Sequence, residues 1–66
     1  MKNKITKFRE SFGFSIVAFA EACQVSRQTI HAIENGTFKP SVVLALKMSK
    51  VLKVQVEELF ILEKED

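Results

Sequence analysis

The 66-residue sequence has a single cysteine, Cys23, so no internal disulfide can form and a disulfide-stapled secreted scaffold is excluded. Its only histidine, His31, has no second ligand of the right type at a metal-binding spacing. Its only aspartate, Asp66, lies in the last turn's worth of chain, and neither a Ser/His/Asp set nor a glycine-rich phosphate loop occurs. Catalysis is therefore not expected, and no cofactor, metal or small-molecule ligand is implied. The charged start Met1-Lys2-Asn3-Lys4 is not followed by a long apolar run, which argues against a signal peptide and a membrane span and makes the cytoplasm the expected compartment. Glycine and proline are scarce, at two and one residues, and the apolar/polar alternation of strands is nearly absent.

What is present is an apolar fraction of 47%, enough for a packed core and too much for a disordered chain. The length predicts one domain over residues 1–66. A domain of this size buries only about 60% of the surface of its unfolded chain, so an oligomeric interface would add to a small core. Charge is unevenly placed. Met1 to Lys53 carries nine Lys/Arg against three Glu, a net +6, whereas Val54 to Asp66 carries a net −4. A basic body with an acidic end suits a polyanion-binding surface, although such charges also serve simply to solvate a surface.

Apolar residues recur at helical spacing and predict five short helices. The first runs from about Lys4 to Phe12, with Asn3 as its cap, Ile5 and Phe8 inward, and Gly13 ending it. Ser15 caps a second helix, Ile16 to Cys23, on which Ile16, Phe19, Ala20 and Cys23 share one face. Ser26 caps a third, Arg27 to Glu34, closed by Asn35-Gly36, two residue types that tolerate left-handed geometry. Ser41 caps a fourth, Val42 to Leu52, and a short fifth covers Val56 to Leu59. Phe60-Ile61-Leu62 reads as an edge strand and Glu63 to Asp66 as a fraying end.

Only Gln24-Val25-Ser26 separates the second and third helices, the tight joint of a helix-turn-helix over residues 16–35. On the third helix Ile30 and Ile33 point inward with Thr29 and Glu34 beside them, leaving Arg27, Gln28, His31, Ala32 and Asn35 outward. That outer face is nearly free of acids. Arginine can fork onto guanine, glutamine or asparagine onto adenine, and alanine can touch a thymine methyl.

The stretch Val25-Ser26-Arg27-Gln28-Thr29-Ile30-His31-Ala32-Ile33-Glu34-Asn35-Gly36, then Pro40-Ser41, Leu44-Ala45-Leu46-Lys47 and Glu57-Glu58-Leu59-Phe60, resembles the Xre family, the Cro and lambda-repressor type of helix-turn-helix proteins. The resemblance runs from about Ile5 to Phe60. It implies an all-α, compact five-helix, lambda-repressor-like DNA-binding domain in which Phe60-Ile61-Leu62 could pair with the N-terminus. It implies a transcriptional regulator, with double-stranded DNA as partner. By this resemblance Arg27, Gln28 and Ala32 match base-reading positions, Asn35 and Gly36 match a helix end that approaches a phosphate, and Lys39 matches a backbone-contacting loop lysine. With the Ser26 cap and the groove-facing His31, these form the expected DNA-binding set. Arg9 and Glu34 match a salt bridge between the first and third helices. Four positions depart from the family pattern: Ile16 replaces a phosphate-contacting glutamine, Val17 a charged residue, Gln24 a glycine, and Gln55 a Ser/Thr cap.

Cys23 and the phenylalanines are expected to pack in the core, including Phe38, which should lie against the fourth helix. Val43, Leu46, Phe60, Ile61 and Leu62 are apolar positions beyond what a small core needs. They point to a homodimer, which would recognise a pseudo-palindrome with half-sites about one helical turn apart. The rival to a DNA-binding repressor is an antitoxin-like protein-interaction module whose helix-turn-helix is secondary.

Overall fold

A computed structural model describes residues 1–66. The elements follow in the order β1 (Lys2–Asn3), α1 (Ile5–Phe12), α2 (Ile16–Cys23), α3 (Arg27–Glu34), α4 (Val42–Leu52), α5 (Val56–Leu59) and β2 (Phe60–Ile61). The two short strands pair antiparallel, Lys2 opposite Ile61 and Asn3 opposite Phe60, so both ends of the chain meet. The fold is thus mostly helical, with five helices and the short terminal pairing; Leu62 lies just past the strand.

The core takes one or more residues from every helix: Ile5, Phe19, Ala20, Cys23, Ile30, Ile33, Leu44, Met48, Leu52 and Leu59. Each large side chain among them contributes about 1.5–3 kcal/mol on burial. Phe19 and Cys23, or Leu44, Met48 and Leu52, recur every four residues, which places them on one helical stripe. Burial pushes the Cys23 thiol above its ordinary value, against a smaller opposing pull from Lys47, so it stays a neutral packing group.

Serine caps set three helix starts. The hydroxyls of Ser15, Ser26 and Ser41 accept from the backbone N–H groups of Ala18, Thr29 and Leu44 at 3.1, 3.2 and 3.1 Å. α1 begins differently. It starts at Ile5, and Lys4 occupies the cap position without a side-chain bond. Asn3 Oδ1 still accepts from Ile5 N at 3.2 Å, while its amide donates to the Ile33 carbonyl at 2.7 Å and ties the N-terminal strand to α3. At α5 the missing Ser/Thr cap is offset by Glu58, whose carboxylate accepts from Gln55 N at 3.0 Å.

Helix ends use left-handed residues. Gln24 (φ 63°) and Lys53 (φ 57°) adopt this conformation without being glycine, at roughly 1–2 kcal/mol each. Gln24 nonetheless makes the short joint between α2 and α3, with Val25 N donating to Ala20 O at 3.0 Å. At the end of α3, Asn35 remains right-handed and Gly36 alone crosses over, with φ 78°. Gly36 N then donates to Ile33 O and Thr37 N to Ala32 O, both at 3.0 Å, which satisfies the last carbonyls and folds the chain back beside the helix.

Two expectations are corrected. Phe38 is 52% exposed and stands outside the core, because after the turn at Gly36 it lies beside Gln28, Thr29 and Ala32 of α3. The acidic end forms a hydrogen-bonded turn rather than an extended tail: Asp66 N donates to Glu63 O at 3.0 Å, and Asp66 Oδ2 accepts from Glu63 N at 2.8 Å.

Candidate nucleic-acid interface

Buried Ile30 and Ile33 anchor α3 against the core, and the Ser26 cap fixes where its first turn begins. The Ser26 hydroxyl also lies 3.0 Å from Thr29 Oγ1, so this serine is committed to the helix start. The opposite side of α3 forms the wall of an open cleft of about 500 Å³ lined by Ile16, Arg27, Gln28, His31, Ala32, Asn35 and Thr37. Arg27, Gln28, His31 and Asn35 are exposed, Ala32 is half-buried, and no carboxylate lines the cleft. No hydrogen bond or ion pair within the chain engages the side chains of Arg27, Gln28, His31 or Asn35. The cleft therefore presents one fixed cation and several free donors and acceptors, a chemistry matched to base edges.

The inner edge of α3 is closed. Arg9 Nε donates to Glu34 Oε2 at 2.8 Å, with only 12% and 7% of the two side chains exposed. Arg9 Nη1 also donates to the Phe14 carbonyl at 2.9 Å, so one guanidinium joins α1, the loop after it and α3. Gly36 and Lys39 lie past the helix end. An added Cβ on Gly36 would meet the Met1 carbonyl at 3.5 Å, in a backbone conformation that side chains rarely adopt.

Lys39 is not free. Its ammonium lies 3.1 Å from Asp66 Oδ1. The Asp66 carboxyl is held below the ordinary carboxylate range, first by the Glu63 backbone N–H and then by Lys39. Sequence reasoning missed this contact because nothing local links residue 39 to residue 66. It also missed Thr37, whose hydroxyl donates to the Ala32 carbonyl at 3.0 Å and whose place in the cleft follows from the left-handed turn at Gly36. Ile16, on the core face of α2, packs against the core yet also lines the cleft.

The apolar positions of the C-terminal half divide. Val43, Leu46 and Leu62 are 64%, 52% and 79% exposed, Ile61 is less so, and Val42 joins them. Phe60 instead packs against the core. No helix is long and apolar enough to cross a membrane.

The helix-turn-helix family profile matches residues 5–59. The chain is 44% identical to the HTH-type transcriptional regulator YgzD of Bacillus subtilis over the full length of both. It is 41% identical, again over the full length of both, to an HTH-type transcriptional regulator of Methanocaldococcus jannaschii. Among solved structures it is similar to the N-terminal DNA-binding domain of SinR from Bacillus subtilis (31% identity, TM-score 0.79), covering 96% of this chain and 91% of that one. It is also similar to the restriction-modification controller protein C.AhdI from Aeromonas hydrophila (26% identity, TM-score 0.79), covering 86% of each. A tight α2–α3 joint, a capped third helix with an unpaired polar face, and relatives matched end to end agree: the chain belongs to the Xre-type helix-turn-helix family of DNA-binding transcriptional regulators.

Proposed function

We propose that this chain is a sequence-specific repressor that binds a pseudo-palindromic operator as a homodimer. The observation that carries the reading is the outer face of α3, where Arg27, Gln28, His31 and Asn35 stand exposed and without intramolecular partners beside the small Ala32. Arg27 and Gln28 project from the capped end of the helix, where bidentate contacts to guanine and adenine are within the reach of their side chains. Asn35, Gly36 and Lys39, beyond them, are proposed to meet phosphates, which position the domain and carry no sequence information. A domain bound across the polymerase site excludes polymerase by occupancy, and the proposed sign of regulation is therefore repression.

A second copy is proposed to cover the exposed Val43, Leu46, Ile61 and Leu62. Phe60, turned toward the core, would support this surface from beneath. Two-fold symmetry then sets half-sites about one helical turn apart.

The test is a binding titration on the protein's own promoter region at several salt concentrations, with sedimentation run in parallel. If a dimer neutralises roughly six to eight phosphates, the log–log salt slope is about −5 to −7. A slope near zero removes the DNA-binding reading. A monomer at high micromolar concentration, with and without operator, removes the dimer.

A further inference from the structure

Ile16 is the first residue of α2, directly after the Ser15 cap, and its side chain is half-buried. One side of it packs against the hydrophobic core. The other lines the cleft in front of α3, where it and Ala32 are the two apolar residues among Arg27, Gln28, His31, Asn35 and Thr37. A β-branched side chain in a helix is nearly confined to one χ1 rotamer, so this apolar group is held in place before any partner arrives. It can neither donate nor accept a hydrogen bond. Opposite a phosphate, a cytosine amine or an adenine amine it would only displace water from a polar group without replacing it. In the major groove, one base edge offers an apolar group of matching chemistry: the C5 methyl of thymine.

We propose that Ile16 is a specificity-determining residue which, with Ala32, forms an apolar seat for a thymine methyl beside the bases met by Arg27 and Gln28. This rests on the reading of the cleft as a DNA interface and adds a base preference supplied from α2 rather than from the recognition helix. α2 then carries more than scaffolding: its first residue joins the core on one side to the base edges on the other.

The experiment is a uracil scan. The full chain is titrated on a selected operator and on duplexes in which each thymine in turn is replaced by deoxyuridine, which removes the methyl and leaves every hydrogen-bonding group in place. One position per half-site should weaken binding by about four-fold, the transfer value of a single carbon group. Ile16→Ala should bind more weakly on the thymine operator and lose the penalty at that position. Since Ile16 also packs on the core, thermal melting accompanies the variant, and Ile16→Val, a milder change, should reduce the penalty if Ile16→Ala fails to fold. No sensitive thymine in the native protein overturns the proposal. So does a penalty that is undiminished in folded Ile16→Ala or, where that variant does not fold, in Ile16→Val, whatever Ala32→Gly does. Absence of any sequence-selective binding would instead defeat the DNA-binding reading beneath it, an outcome separable from the first because the native titration is read before any uracil duplex.

Discussion

The two flanks of α3 belong to one eight-residue helix and have opposite fates. On the inner flank Ile30 and Ile33 are buried, and Glu34 is locked to Arg9 at 2.8 Å. On the outer flank Arg27, Gln28 and His31 are exposed and bonded to nothing in the chain. The inner flank has its hydrogen bonds made before a ligand arrives and so contributes to stability. The outer flank leaves its donors and acceptors to water, which nucleic acid can replace. A short helix can serve both ends because 100° per residue separates the two sets of side chains cleanly.

The largest effect that would sharpen this contrast comes from the inner flank. Glu34→Ala strands the Arg9 guanidinium in a nearly closed site, at about 3–5 kcal/mol. For a domain of this size that lowers the melting temperature by roughly 12 °C or more. Thermal denaturation checks it, and a native-like melt would mean that the two flanks do not differ in stability.

The next effect is on the outer flank. Gln28→Ala should melt like the native protein yet lose roughly 1–3 kcal/mol on the cognate operator, with preference relaxed at one base position per half-site. Titration on cognate, single-mismatch and random duplexes measures it. An equal loss on all three would move the reading face elsewhere.

Lys39→Ala should have a smaller and different consequence. Affinity falls alike on cognate and random DNA, and the salt slope flattens by about one unit per subunit. A change in base preference would place Lys39 among the base-reading groups.

The smallest effect concerns the contact that Lys39 already has. Asp66→Asn removes the carboxylate charge 3.1 Å from its ammonium, so binding should tighten slightly. The gain should vanish when Lys39 is also alanine, which a double-mutant cycle measures. Because the Asp66 carboxyl is held below its ordinary range, the contact is present at neutral pH and lost only as the pH falls through that lowered value. The substitution thus reproduces at neutral pH what acid does to the native chain.

The sequence by itself determined the helices, the three serine caps and the division of α3. Helical spacing of apolar residues and a serine before each of three helices are local signals, written within four residues of where they act. For the Arg9–Glu34 pair the helical wheel places Glu34 at the edge of the apolar face, but only the family resemblance supplies its partner, since 25 residues separate the two. Only the tertiary structure decided how Asn3 ties the N-terminal strand to Ile33, which way Phe38 turns, that Ile16 faces core and cleft together, and that Asp66 meets Lys39. Each of these depends on where distant segments are carried. The left-handed residues Gln24 and Gly36, before and after α3, and the antiparallel pairing of Lys2–Asn3 with Phe60–Ile61 set those positions, and no periodicity within a single helix encodes them.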